Sequence, residues 1–485
     1  MIAKYSLIKI TKISIIFFLI LPLFAKCILI YSGNKLIYLL FSIIFNFYLI
    51  YSLRKSSFFF DFFISLFLWF GIWFKFSVQT ILFENKFPEG TGNFDFSPSS
   101  FDNVLIISFL SVCSLIICSF IIKKFFFSYK KDLKNTSQIT NVVDLNRNKI
   151  ISIATIFLIS FLVFYFLNLY FSIYQKGIVY EGNIPNLLYN LIIWTIKIGF
   201  PTFASVSIYM MLNFKNDNYK VKSYMLAVLE STFSSISQIS RAMIFNPFSM
   251  IFGIYKYSQF RNNIFNKKNF LKSYLLLLIF FLFSLFVSSE LRSKFYNVYL
   301  PDSSSQNKVI NKFSSHITNL YFLVGNRWVG IEGIMSSYSI EDKGLKFLKE
   351  SFKENYNYSQ TFYSMNVNKK KNLNKFDKIK NYFSKEELKH IAIFTPGIIG
   401  FLNYSGSLVF VIFALSLIFL TCVFVEILVF KLTKNNYIFT SFVANLMAYQ
   451  LAHFGYMPQN TYKIFIGIFI GLIMVMIINK IIFKR

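Results

Sequence analysis

The distribution of apolar residues constrains this chain more than any other feature. Twelve apolar blocks alternate with lysine-rich breaks, and one break, from Ser289 to Thr395, is about a hundred residues long. A helix needs about 20 apolar residues to cross the hydrocarbon of a bilayer. The blocks therefore predict an all-α polytopic membrane protein with about 12 transmembrane helices. The predicted spans are residues 13–31, 35–53, 58–83, 103–122, 150–171, 187–212, 224–240, 243–257, 274–288, 397–430, 437–453 and 461–482.

Composition supports the same interpretation. The chain is 55% hydrophobic and 20% aromatic, contains 65 Phe, and has only 15% charged residues. Soluble domains average about a quarter charged residues. The four cysteines, Cys27, Cys113, Cys118 and Cys422, all fall inside apolar blocks. This placement disfavours both a disulfide framework and a cysteine-based zinc site.

The basic residues predict the orientation of the spans. With the N-terminus in the cytoplasm, the cytoplasmic breaks hold 25 Lys and Arg, whereas the short breaks on the other side hold four. The positive-inside rule then predicts that both termini are cytoplasmic. Because long loops translocate regardless of their charge, the excursion is predicted to lie outside the cytoplasm. The net charge of +29 is thus interpreted as a topology signal, and nucleic acid is not an expected partner.

This topology divides the chain into three parts. Residues 1–288 form a membrane domain with spans 1–9, residues 289–395 form the large external loop, and residues 396–485 form a membrane domain with spans 10–12. The tenth span is long enough to include a re-entrant turn around Pro396–Gly406. The first six spans do not resemble the last six, which weighs against transporter folds built from two similar halves.

The seventh span carries a polar stripe. Glu230, Ser234, Gln238 and Arg241 fall within an arc of about 80° on one helical face. A stripe that ends at an external arginine suits an anionic headgroup. It equally suits a bundle interior in which Ser and Gln form hydrogen bonds between helices.

Charged residues inside spans usually face a cavity or a partner. Asp61 and Lys75 lie near one face of the third span but about 21 Å apart along its axis, too far to pair directly. Lys75 is therefore expected either to extend to the interface or to pair with another helix. Lys197 precedes Pro201 by four residues, where a kink would free backbone carbonyls.

Arginine is scarce in this lysine-rich chain. Of seven arginines, Arg241, Arg292 and Arg327 are predicted to lie at or near the outer surface. The guanidinium fork binds phosphate oxygens bidentately and does not deprotonate. These three are candidate substrate-binding residues for an anionic headgroup, together with Glu230 and Gln238. The alternative is that they are ordinary positive residues on a wet surface.

The candidate proton acceptors also lie on the external side. All three histidines, His316, His390 and His453, fall there in the predicted topology, and histidine is the usual general base near neutral pH. Glu332 follows Arg327 by five residues. It is expected to orient that arginine or to accept a proton itself, with His390 and His453 as alternatives.

The chain contains no motif of a soluble enzyme, such as a Walker loop or HExxH. With three histidines and no close Asp/His clusters, no metal site is predicted.

Four stretches resemble a known family. They are Ser240–Ala242; Asn326–Gly333, which reads Asn-Arg-Trp-Val-Gly-Ile-Glu-Gly; Thr395–Gly400, which continues to Tyr404–Ser407; and Ala452–Tyr456. In these stretches, and in its layout of spans and loop, the chain resembles the Wzy-type polymerases of bacterial O-antigen and capsule repeat units. The resemblance covers the topology of the whole chain but only about 30 residues of motif.

The resemblance implies a GT-C-like fold and a metal-independent glycosyltransferase of the bacterial inner membrane that needs no cofactor. The donor would be a glycan on undecaprenyl pyrophosphate, and the acceptor a single lipid-linked repeat unit. A sugar hydroxyl would attack the anomeric carbon of the donor, and the lipid pyrophosphate would leave. The external arginines would stabilise the leaving group. A chain-length regulator protein is an implied partner, besides the lipid-linked substrate and membrane lipid.

Three alternatives stay open. A flippase for lipid-linked oligosaccharides would also have about a dozen spans and buried cations, but it should have two similar halves and short loops. An O-antigen ligase would use the same chemistry on a different acceptor, but the histidine-asparagine pair of that family is absent, since Ile391 follows His390. A membrane scaffold whose loop binds partners would catalyse no reaction.

Overall fold

A computed structural model describes residues 20–54, 56–85, 87, 91–129, 147–175, 184–213, 217–240, 245–260, parts of 275–291, 328–353, 362–367, 395–455, 458 and 461–482. These residues are helical or lie in turns, and none of them forms a strand. In chain order we number the helices α1 (Ile20–Ile30), α2 (Lys35–Ser52), α3 (Phe59–Phe83), α4 (Pro98–Phe125), α5 (Arg147–Tyr170), α6 (Asn186–Leu212), α7 (Asp217–Ser237), α8 (Phe245–Phe260), α9 (Ile331–Tyr338), α10 (Leu345–Phe352), α11 (Gly397–Leu402), α12 (Leu408–Leu432), α13 (Tyr437–Ala452) and α14 (Thr461–Ile482).

Six of these helices, α2, α3, α4, α6, α12 and α14, are long and apolar enough to cross a membrane. Shorter apolar helices occupy Ile20–Ile30, Thr155–Tyr170 and Leu278–Ser288. The all-α membrane class predicted from the sequence is therefore supported, and the six long apolar helices overlap predicted spans, whereas α9 and α10 lie in the predicted loop. The total of 12 spans and their sidedness stay predictions.

The tenth predicted span, 397–430, is interrupted. Helix α11 ends in the 3₁₀ turn Asn403–Ser405, and Gly406 follows in the left-handed region with φ of 72°. The Ser407 side chain then accepts a hydrogen bond from the N–H of Phe410 and caps α12. The turn divides this part of the chain into a short and a long helix, and the re-entrant course expected around Pro396–Gly406 stays a prediction.

Helix α13 is the centre of the bundle. It packs against α3, α6, α8 and α12. Small side chains permit this close packing: Thr440, Ser441, Ala444 and Ala448 are completely buried. On α8, a Cβ on Gly253 would lie 2.8 Å from the Cα of Ile438, so the two helix backbones are nearly in contact.

Buried charges fix the first turn of α3. The Glu426 carboxylate of α12 accepts hydrogen bonds of 2.8 Å from the backbone N–H groups of Phe59 and Phe60, and Tyr129 also donates to it. A carboxylate at this position satisfies otherwise unpaired N–H groups and complements the helix dipole. Asp61 forms a 2.5 Å ion pair with Lys123 of α4. Both acids thereby have partners inside the bundle.

A π-helical turn, Trp69–Phe74, interrupts α3. Such turns displace the helical register and occur often at functional sites. The turn presents Gly71 to the segment that precedes α9, and a Cβ on Gly71 would overlap the carbonyl oxygen of Val329. In return, a Cβ on Gly330 would lie 2.6 Å from the carbonyl oxygen of Gly71. The absence of side chains on these glycines lets the long loop dock directly on the α3 backbone.

Candidate functional site

Three of the stretches that carry the family resemblance meet at one end of the bundle. Helix α9, from the long loop, packs against α11, and a Cβ on Gly333 would overlap the backbone of Pro396. The N–H of Gly397 donates a 3.0 Å hydrogen bond to the carbonyl oxygen of Phe454, just beyond α13. The stretches 326–333, 395–400 and 452–456 are far apart in the chain, and their described residues are neighbours in space.

A buried ion pair lies where these segments reach α3. Lys75 Nζ is 2.6 Å from Glu332 Oε1. The same ammonium donates a 2.7 Å hydrogen bond to the carbonyl oxygen of Trp328, and Gln79 donates to Glu332 at 3.0 Å. Only 5% of the Lys75 side chain and 10% of the Glu332 side chain are exposed. Glu332 is therefore an acceptor held by two groups of α3, one helical turn apart.

This arrangement resolves the two expectations for Lys75. Its ammonium pairs with another helix, which was the second expectation. It pairs with a carboxylate of the long loop, and Asp61 pairs with Lys123. Removing one member of a buried pair leaves an uncompensated charge, which typically costs about 3–5 kcal/mol. The pair therefore also holds the loop to the bundle.

Tyr363 extends the polar network into the loop. Its hydroxyl donates a 3.1 Å hydrogen bond to Ser336 Oγ, one turn beyond Glu332. Burial raises the pKa of Tyr363 well above its ordinary value, and the negative charge of Glu332 raises it further, whereas the bond to Ser336 lowers it. Tyr363 is accordingly a neutral phenol that can donate a hydrogen bond at physiological pH.

Aromatic rings form a wall beside the ion pair. Trp328 stacks on Phe70 of the π-helical turn, with ring centroids 4.3 Å apart and planes 10° apart. Phe245, at the start of α8, lies 5.7 Å from Trp328, and Phe67 lies 6.5 Å from it. Offset-stacked and edge-to-face pairs of this kind add stability beyond their buried area. Phe245 belongs to this wall, and it follows the family-like stretch Ser240–Ala242 by three residues.

His453 adjoins the aromatic wall. Its ring stacks on Tyr449 at 4.2 Å and lies 6.5 Å from Phe67. The Nδ1 atom is 3.1 Å from the carbonyl oxygen of Tyr449. Since a carbonyl can only accept, this contact assigns the proton of the neutral ring to Nδ1 and makes Nε2 the basic nitrogen.

The polar stripe of α7 forms hydrogen bonds both to α5 and along its own face. Glu230 Oε1 accepts a 3.1 Å hydrogen bond from Tyr165 of α5, and Ser231 donates to its other oxygen. Gln238 donates to Ser234 at 2.9 Å. The Glu230–Tyr165 bond fits interhelical hydrogen bonding, whereas the bonds of Ser231 and Gln238 stay within the same segment. The Gln238 Oε1 atom is buried without a hydrogen-bond partner.

Several predicted site residues lie outside the described residues: Arg241, Arg292, Arg327 and His390. Their convergence on one cavity stays a prediction. In the described part of the chain, no group of three or more His, Cys, Asp and Glu side chains is arranged to hold a metal ion.

Sequence reasoning selected Glu332 and His453 but missed the role of Gln79 and the partner of Lys75. A signal was present, because Lys75 and Gln79 are spaced i, i+4 and therefore share one helical face. That spacing predicts a polar face on α3 but does not predict which residues this face contacts.

Compared with protein-family models, with curated proteins and with solved structures, the chain has no match.

Proposed function

We propose that this chain is a metal-independent membrane glycosyltransferase that polymerises oligosaccharide repeat units carried on undecaprenyl pyrophosphate. In this proposal it has about 12 spans, both termini in the cytoplasm, and its active site at the periplasmic face of a bacterial inner membrane. The observation that carries the proposal is the convergence of the family-like stretches around the Lys75–Glu332 ion pair, the Trp328 aromatic wall and His453.

The arrangement suits glycosyl transfer between two lipid-linked sugars. Aromatic faces such as Trp328 and Phe70 offer flat apolar surfaces on which sugar rings can stack. The acceptor hydroxyl attacks the anomeric carbon of the donor, and a carbon–oxygen bond forms. The bond to the pyrophosphate oxygen breaks, and the lipid pyrophosphate leaves with the electron pair.

His453 is the proposed proton acceptor. Its Nε2 atom takes the proton of the attacking hydroxyl, while Nδ1 stays bonded to the carbonyl oxygen of Tyr449. Glu332 is a positioning residue, because Lys75 and Gln79 already bind its carboxylate. It fixes the start of α9 and, with it, the segment that follows Arg327. The arginines predicted at the outer surface would stabilise the charge on the leaving group.

The test combines a deletion strain with purified protein. In the strain that lacks this chain, a lipopolysaccharide gel should show core carrying a single repeat unit and no ladder. Purified protein in nanodiscs should convert a lipid-linked repeat unit into a ladder of longer products. Loss of every repeat from the core would instead indicate a flippase or a ligase. An unchanged ladder together with inert purified protein would exclude the proposed reaction.

A further inference from the structure

The long loop contributes a short amphipathic helix, α10, whose larger side chains point in two directions. Leu348 and Ser351 are buried against the rest of the protein. Leu345 and Phe352, in contrast, are 65% and 41% exposed. One edge of α10 therefore presents two large apolar side chains to the surroundings.

The polarity of the exposed residues changes in a regular order around α10. At 100° per residue, Leu345 and Phe352 lie within about 20° of each other and form an apolar edge. Lys349 lies about 50° from this edge, Lys346 about 110° and Glu350 about 150°, and all three are exposed. This order is typical of a helix that lies in a membrane interface. The lysine next to the edge can cover apolar surface with its stem while its ammonium reaches the headgroups.

Helix α10 is attached close to the beginning of α12. The N–H of Gly344 donates a 2.9 Å hydrogen bond to the carbonyl oxygen of Tyr404, and a Cβ on Gly406 would lie 3.1 Å from the Cβ of Lys343. Helix α12 has 25 residues and is therefore about 38 Å long, which exceeds the hydrocarbon thickness of about 30 Å. When α12 crosses the membrane, its first residues and the start of α10 therefore lie at the bilayer surface.

The exposed apolar face of α12 begins beside this attachment. Val409, Phe413 and Phe424 are 76%, 62% and 63% exposed, and the three positions fall within about 60° on one side of the helix. A contiguous exposed apolar surface of this kind marks a contact with a membrane or a partner, and on a helix long enough to span a bilayer it fits lipid. Val409 follows Gly406 by three residues, so this face starts close to α10.

We infer that α10 is an interfacial helix, whose apolar edge of Leu345 and Phe352 inserts into the lipid surface around α12. Lys349 lies at the boundary and contacts anionic headgroups of that lipid. The lipid contact follows from the exposure, charge and attachment of α10, so it is independent of the proposed function.

The lipid contact has a consequence for the candidate site. The Phe352 ring lies 5.0 Å from the ring of Phe401 on α11. Helix α11 packs against α9, which carries Glu332. An α10 held in the interface therefore fixes the height of the α9–α11 pair relative to the bilayer.

Photocrosslinking of purified full-length protein tests the lipid contact. The protein is placed in nanodiscs of phosphatidylethanolamine and phosphatidylglycerol, with p-benzoylphenylalanine in place of Leu345, of Phe352 or, as the matched control, of Glu350. Mass spectrometry of the irradiated protein measures the lipid adducts. We expect about tenfold more adduct at Leu345 and Phe352 than at Glu350, because the apolar edge of an interfacial helix reaches the boundary between headgroups and acyl chains.

The lipid composition of the adducts tests the headgroup contact. At Leu345, phosphatidylglycerol should be enriched over its share of the nanodisc. Lys349→Gln should lower this enrichment up to about fivefold, which is the effect of one lysine near an anionic surface. Lys346→Gln removes an equal charge farther from the apolar edge and should leave the enrichment nearly unchanged.

Two outcomes would overturn the inference. Adduct at Leu345 and Phe352 no greater than at Glu350 would exclude insertion of the edge, and cross-links between two copies of the chain would instead indicate a self-association surface. An unchanged lipid composition in Lys349→Gln would exclude the headgroup contact. All of the replaced side chains are exposed, so the melting temperatures of these proteins should equal that of the wild type.

Discussion

Lys75 Nζ lies 2.6 Å from Glu332 Oε1, and this contact joins the middle of α3 to the long loop. Both partners are nearly inaccessible to solvent. The ammonium also donates to the carbonyl oxygen of Trp328, so one lysine fixes both the start of α9 and the ring that stacks on Phe70. The position of the aromatic wall therefore depends on an ion pair between two segments far apart in the chain.

Breaking this ion pair should destabilise the protein. Lys75→Met and Glu332→Gln are each expected to lower the free energy of unfolding by about 3–5 kcal/mol, because each leaves one charge buried alone. The double variant removes both charges and should recover most of that loss. Thermal unfolding in detergent measures all three. Glu350→Gln, at an exposed position of α10, is the matched control, and additive losses in the double variant would contradict the pairing.

The glycine contacts should not tolerate a methyl group. Gly71→Ala and Gly333→Ala each place a Cβ against backbone atoms, of Val329 and Pro396 respectively. Backbone cannot rotate away, so we expect a loss of about 1–3 kcal/mol or more and reduced polymer length. Gly344→Ala is the control, since a Cβ there has no heavy atom within 4 Å. Equal melting temperatures for all three variants would disprove the close docking of the loop.

His453 should be essential for turnover but not for folding. His453→Ala should lower the polymerisation rate of purified protein by about 10²- to 10⁴-fold, which is the usual contribution of a positioned base. Tyr449→Phe keeps the stacked ring and the backbone carbonyl that binds Nδ1, and it should retain activity. His390→Ala and Glu332→Ala are assayed beside it. Near-normal turnover in all three alanine variants would exclude side-chain base catalysis by this set.

The arginines predicted to lie at the outer surface should not be replaceable by lysine. Arg241→Lys, Arg292→Lys and Arg327→Lys keep the charge but lose the bidentate fork. If they bind pyrophosphate, each variant should shorten the polysaccharide on a lipopolysaccharide gel at normal expression. The scattered lysines of the loop offer controls, and Lys346→Gln, at an exposed site on α10, should have no effect. Wild-type chain lengths in all three arginine variants would remove their role.

Topology can be tested by fusions within the long loop. The split of 25 against four basic residues between short breaks predicts that the loop lies in the periplasm. Alkaline phosphatase fused after Asn307 or Lys371 should be active, and green fluorescent protein at the same positions should stay dark. Fusions after Lys434, in a predicted cytoplasmic break, should give the opposite pattern. Inactive phosphatase at both loop positions would contradict the predicted sidedness and would place the candidate site on the cytoplasmic side.

Much of the helical layout could be predicted because it depends on local properties. The length and polarity of an apolar block decide whether it can cross a bilayer, and α2, α3, α6 and α14 fall within the predicted blocks to a few residues. The turn near Gly406 was also readable, since glycine and proline mark breaks locally. The candidates Glu332 and His453 emerged from a motif and from side-chain chemistry.

The sequence by itself determined a chain of apolar helices with one long polar loop, since hydropathy and charge act along the chain. Only the tertiary structure decided that Lys75 pairs with Glu332, that Glu426 caps α3, and that Trp328 stacks on Phe70. These contacts join residues that are far apart in the chain, so the period of a single helix cannot predict them. Their formation depends on which helices pack together and on π-helical turns that shift side chains away from the regular 3.6-residue repeat.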